Sequence, residues 1–154
     1  MSKRLLTAQK FISHFATLDK DLLESILADD YYHEFAPSSM NPPGPFDKQG
    51  FLEHGRHLDS IMTGFPVFAK EYIESESQNQ VVVWATSKTA FRKEVKDDGI
   101  PAEEWEYEGE YVFIFTMDGS GEKVSRCVEF LDSLATRGKL MGLMKRARGN
   151  LETG

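Results

Sequence analysis

Apolar residues recur at helical spacing through the first third of the chain and at alternating spacing through most of the rest. Phe11, Ile12, Phe15 and Leu18 predict a helix over 7–18, with Thr7 as its cap. Leu22, Leu23, Ile26 and Leu27 predict a second helix behind an Asp19 cap, and a short strand follows over 31–35. Residues 36–46 hold four prolines and read as a loop. Asp47 caps a third helix with Phe51, His54, Leu58, Ile61 and Met62 along one side, stopped by Gly64 and Pro66. The period then changes. Residues 67–76, 80–93, 104–117 and 123–132 read as long strands, with turns at 78–79 and 118–121. Helices first and a strand meander afterwards predict an α+β domain with a curved antiparallel or mixed sheet wrapped around three N-terminal helices. Leu134, Leu140, Met141, Leu143, Met144 and Ala147 predict a C-terminal helix within 133–154. Gly138 and Gly142 weaken it, and its methionines suit a lid over a ligand.

Composition narrows the class. The 154 residues form a single domain, large enough to bury a core without staples. The net charge of −7 argues against nucleic acid as a partner. No run approaches the ~20 apolar residues of a membrane span, and none at the start is long enough for a signal peptide. Cys127 is the single cysteine, so no internal disulfide can form and a reducing, cytoplasmic setting is expected. Eleven Phe and five Tyr supply rings for a core and for the lining of an apolar pocket.

Strand alternation selects the candidate chemistry. Trp105, Tyr107, Tyr111, Phe113 and Phe115 share one face of the third long strand, which should look inward, while Glu106, Glu108 and Glu110 share the other. Gly109 removes a side chain from the middle of the ringed face, leaving room for a ligand or a bend. Val112 and Ile114, opposite the rings, make the outer face apolar, and a homodimer is expected to cover it. On the last strand Glu129 shares a face with Cys127 and Leu131. A carboxylate there is costly to bury unless paired, hydrogen-bonded or protonated. An outward Glu129, or one in an ion pair with Arg92 or Arg126, is the alternative. Trp84, Phe51 and Leu58 complete the expected pocket lining.

His54 lies on the apolar stripe of the third helix, with Arg56 nearby. His54 and His57, three apart, lack a third ligand at recognisable spacing, so no metal site is expected. His14 and His33 carry no pattern that assigns them chemistry. No glycine-rich dinucleotide loop, phosphate loop or nucleophile elbow is present, which favours cofactor-free chemistry on a small molecule.

The order of elements, and above all the hairpin YEGEYVFIFTMDGSGEKVSRCVEFLDS at 107–133, resembles the nuclear-transport-factor-2-like, or SnoaL-like, cone domains. The nearest likeness is to small fungal proteins of secondary metabolism that act as isomerases, cyclases or dehydratases without cofactors. One branch of them, resembling semipinacolases, uses pocket tyrosines and a last-strand glutamate. The resemblance therefore implies roles for Tyr107, Tyr111 and Glu129, while the pattern of ionisable groups on apolar faces adds His54, or Arg56 if the helix rotates, as an assisting group. That branch also uses an early arginine, which has no match near Ala36. The implied function is a cofactor-independent isomerase or cyclase acting on a small hydrophobic polyketide, terpenoid or alkaloid. The alternatives are a non-catalytic binding or dimerisation module, and a dehydratase that would need a histidine–carboxylate pair.

Overall fold

The computed structural model describes residues 1–153. Helix α1 (Lys3–His14) is capped by Ser2, whose hydroxyl accepts from the Leu5 amide, so it begins a turn earlier than the Thr7 cap predicts. Thr7 lies inside the helix, where its hydroxyl donates to backbone carbonyls and ties α1 to Gly121 at 2.8 Å. Asp19 caps α2 (Lys20–Ile26) and Asp47 caps α3 (Lys48–Asp59), both as expected.

The expected short strand is a ten-residue strand, β1 (Leu27–Ala36), entered directly from α2. After the proline loop and β2 (Phe46–Asp47), the chain runs through α3 into β3 (Met62–Gly64) and β4 (Val67–Ser75). The predicted strand over 80–93 divides into β5 (Gln80–Lys88) and β6 (Ala90–Phe91), and β6 leaves the main sheet to pair with β3. Strand β7 (Glu108–Met117) also starts later than predicted. Trp105 belongs to a preceding 3₁₀ turn (Ala102–Trp105) behind Pro101, and Tyr107 lies in the connection. Strand β8 (Val124–Leu131) closes the meander.

The main sheet is open, with order β2–β1–β8–β7–β5–β4. It is mixed because β1 pairs parallel with β8, the other neighbours being antiparallel. The inner face carries Val81, Val83, Ala85, Tyr111, Phe113, Phe115 and Cys127, all buried against α1, α2 and α3. Phe113 and Phe115 are buried on Phe11 of α1 and on Phe15, its C-terminal cap, with ring centroids 4.7 to 5.9 Å apart. The C-terminal segment is a turn of helix α4 (Ser133–Ala135), a wider π-turn (Thr136–Leu140) and α5 (Met141–Thr153). Leu143 and Ala147 anchor α5 in the core, which leaves its neighbouring face over the open end of the cone. Among the described residues, no helix is long and apolar enough to cross a membrane.

Candidate active site

The cone encloses a cavity of about 350 Å³, within the range of small-molecule sites. Its walls are mostly apolar: Phe15, Leu18 and Leu23 on one side, Phe51, Leu58 and Phe65 on another, and Leu131 on the sheet. Met40 of the proline loop and Leu140, Met141 and Met144 of the C-terminal segment complete the lining.

Glu129 is the single carboxylate among the lining residues. It is buried on β8 by strand parity, as Cys127 is. Its partner is His33 of β1, whose Nε2 stands 3.1 Å from Oε1, and nothing in the residue types of the last strand reveals that contact. The Tyr31 hydroxyl lies 2.5 Å from His33 Nδ1. Burial pushes the Tyr31 phenol well above its ordinary range, and the neighbouring Cys127 and Glu129 push it the same way. Tyr31 therefore stays protonated, and in the tautomer in which it donates to Nδ1, Nε2–H donates to Glu129. Phe51 stacks on the imidazole at 3.9 Å and holds its plane. The second carboxylate oxygen makes no protein hydrogen bond among the described residues and is left to the cavity.

Tyr111 of β7 also lines the cavity. Its oxygen accepts from the Ser87 hydroxyl at 3.0 Å and lies 3.2 Å from the Tyr107 hydroxyl. Burial is the main cause that raises the Tyr111 phenol, so it remains a donor. Either hydroxyl of the Tyr107–Tyr111 pair can be the donor, and when Tyr107 donates, the Tyr111 proton is available to a ligand oxygen. Gly109 makes this pair possible. A Cβ there would strike the Tyr107 hydroxyl and come within 2.8 Å of the Tyr111 hydroxyl. Tyr107 itself stands behind Tyr111, outside the cavity wall, with Thr136 of the π-turn 3.5 Å away.

His54 reaches the cavity from α3, with the rings of Phe46 and Phe35 5.2 and 5.5 Å away. Burial, with the cation of Arg148 adding to it, lowers its pKa to about 4, so it is a neutral group at neutral pH. His14 is likewise lowered to about 4, chiefly by burial. Its Nδ1 donates to the Phe11 carbonyl, which leaves Nε2 as a lone-pair acceptor on the cavity side.

The structure thus brings Glu129, Tyr111, His54, Phe51, Leu58 and Leu131 around one space. Phe113, Phe115 and Cys127 lie in the core behind that wall, and Trp105 packs edge-on against Phe91 away from it. Trp84 is on the outer face. Val81, Val83 and Ala85 take the inner positions of β5, so parity turns Trp84 out, where its indole donates to Glu110 and Lys70 lies over the ring. Arg56 points to solvent beside Glu53, and His57 is exposed near the same carboxylate. Sequence reasoning gave no role to Tyr31, His33 or His14. Only the even spacing of Tyr31 and His33 on one strand face signalled them.

No family model matches the chain, and no curated protein does. Solved structures do. AusH from Aspergillus nidulans is 25% identical over 85% of this chain and 84% of its own, with a TM-score of 0.71. BvnE pinacolase from Penicillium brevicompactum is 18% identical over 96% and 95%, with a TM-score of 0.75. A protein of Jannaschia sp. CCS1 described as a SnoaL-like polyketide cyclase is 15% identical over 89% and 90%, with a TM-score of 0.67. The fold is that of the SnoaL-like, nuclear-transport-factor-2-like cone.

Proposed function

We propose that this protein is a cofactor-independent isomerase or cyclase that works by acid–base chemistry on a small hydrophobic secondary metabolite. One observation carries the reading: the cavity's single carboxylate, Glu129, is fixed through one oxygen by His33 and presents the other to an apolar space. The second oxygen, without a protein partner, is open to a guest in that space. The likeness to a pinacolase fold supports the class of reaction.

In this mechanism the substrate's carbonyl oxygen accepts a hydrogen bond from Tyr111, which Tyr107 and Ser87 hold in place. Glu129 takes a proton from the adjacent carbon, and the electron pair moves toward the oxygen. The Tyr111 donor is aimed where negative charge develops, so it binds the transition state better than the ground state. Glu129 returns the proton to a different atom, which completes an isomerisation, or the enolate carbon attacks a second carbonyl of the same molecule, whose C=O π electrons move to its oxygen, and Glu129 delivers the proton to that oxygen as the ring closes. His54, neutral, serves as a hydrogen-bonding neighbour rather than as a cation.

A dehydratase is the second reading, favoured by the His33–Glu129 pair itself. After the same proton abstraction, the enolate electron pair forms a C=C bond as the C–O bond on the next carbon breaks, and the hydroxyl takes the proton from Glu129 and leaves as water. Both readings share the first step, and a hydrogen-exchange assay tests it. Purified protein is incubated with 2-tetralone, an apolar enolisable ketone of suitable size, in deuterated buffer. Mass spectrometry then follows deuterium uptake beside the carbonyl. Uptake above the buffer rate that falls to it in Glu129→Gln supports the reading. Equal rates for both proteins would leave a binding module with a structural glutamate.

A further inference from the structure

Helix α5 turns three residues toward the cavity: Met141, Met144 and Arg148. They stand at positions i, i+3 and i+7, one face of one helix. That face is apolar at its start and cationic at its end. Arg148 is exposed at the rim and makes no hydrogen bond or ion pair among the described residues. Its neighbour Arg146, on another face, is clamped on Asp97 by two bonds of 2.9 and 2.8 Å.

We propose that the cavity takes an amphiphilic ligand whose apolar body fills the cone and whose anionic oxygen group, a carboxylate or an ionised enol, is held at the mouth by Arg148. The proposal deepens the functional reading above and rests on it for the identity of the site.

The chain carries 25 acidic and 18 basic residues, so carboxylates to pair with a surface arginine are plentiful. Leaving one guanidinium unpaired beside an apolar opening is the arrangement a carboxylate guest requires. A guanidinium offers two parallel N–H donors that match a carboxylate, which a lysine does not. The other ionisable groups of the lining do not compete for it. Glu129 has His33, and His14 and His54 are neutral at neutral pH. Arg148 lines the same cavity as His54 and Met144, at its solvent-exposed side. A net charge of −7 repels anions in general, so an anion preference would have to come from a local cation.

Two probes with one apolar body test this by calorimetry: 2-naphthoate and the neutral 2-naphthamide. The full chain should bind naphthoate about tenfold or more tightly than naphthamide, the usual effect of a charge-assisted contact. Arg148→Met should remove that preference and leave naphthamide affinity unchanged, with Arg148→Lys in between. Lys145→Met removes the same charge from an exposed position on the same helix and should keep the preference. Equal affinity of the two probes for the wild type would overturn the anion role while leaving the site itself. So would a preference that survives Arg148→Met, or an equal loss in Lys145→Met. If neither probe bound, both the proposal and the functional reading would fall.

Discussion

His33 and Glu129 meet across the parallel pair β1–β8 on a diagonal. The register partner of His33 is Cys127, and that of Glu129 is Phe35, yet the imidazole leans two residues along the strand to reach the carboxylate at 3.1 Å. The diagonal is possible because neighbouring strands carry their inner side chains on the same face. It leaves the carboxylate end-on to the cavity.

Removing either partner should therefore act differently. Glu129→Gln keeps the shape and the strand, and should lower turnover about 10²–10⁴-fold with little change in the denaturation midpoint. His33→Phe keeps a ring under Phe51 but strips Glu129 and Tyr31 of their shared partner. It should destabilise by about 1–3 kcal/mol and lower kcat by less than Glu129→Gln does. Urea titration and steady-state kinetics on one substrate separate the two. Identical effects of both variants on rate and stability would mean that the pair is structural.

Acid should destabilise the protein through His14. Its folded pKa is about 4, below the ordinary 6.5, because burial disfavours the charged ring. The unfolded chain then binds more protons than the folded one between those values. Stability from this group is complete above about pH 6.5 and falls as pH drops toward 4, by up to about 3 kcal/mol. His14→Gln should reduce the slope there, with the remainder coming from His54, whose folded pKa is lowered over the same range. Urea midpoints at pH 7 and 4.5, for wild type and variant, measure the difference.

Gly109→Ala should disrupt the tyrosine pair, since the added methyl would occupy the place of the Tyr107 hydroxyl. Overpacking of this kind costs about 1–3 kcal/mol. Tyr107→Phe in the same chain removes the clashing atom and should restore part of the loss. A double-mutant cycle on the melting transition reads the coupling directly, and independent effects would show that the clash is absorbed elsewhere.

The outer face of the sheet should pair with a second copy of the chain. Cross-strand register lines up Ile73, Val82, Ile114 and Val128 in one row and Trp84, Val112 and Phe130 in the next. Ile73, Trp84 and Phe130 are 53%, 40% and 48% exposed, a band that a lone chain would leave in water. Glu34, Lys70, Glu71, Glu110 and Arg126 border it with both signs of charge, which suits the same surface on another copy. Light scattering should give the mass of two chains, and Phe130→Asp should give one. A wild type that stays a single chain at high concentration would refute this.

Most of the frame was legible because it is written locally. The alternation from Tyr107 to Phe115 set the inner face, the gap at Gly109 was visible in it, and the parity of β8 put Glu129 inside. The partner of Glu129 was not legible, because the pairing of β1 with β8 joins residues 96 positions apart and leaves no mark in either strand. Trp84 was misplaced because both faces of β5 are rich in apolar residues, so alternation there does not say which one looks inward. Arg148 escaped notice for a related reason. It sits among charged neighbours, and only the rotation of α5 after the π-turn shows that it borders the cavity while Arg146 does not.

The π-turn Thr136–Leu140 has a bearing on how such a protein diversifies. It joins two parts built by different rules. Ahead of it, Glu129 and Tyr111 sit on strands whose register is locked by hydrogen bonds to neighbours on both sides. Beyond it, Met141, Met144 and Arg148 sit on a helix that no strand holds. Inserting or deleting one residue at the turn would rotate that helix by about 100°, the arc of a single residue in a 3.6-residue turn. A different set of side chains would then meet the guest while the proton-transfer groups kept their places, provided new residues replaced Leu143 and Ala147 in the core and Arg146 on Asp97. Selectivity and reactivity are in that sense inherited on separate pieces of the chain, and a short stretch of sequence suffices to exchange one without disturbing the other.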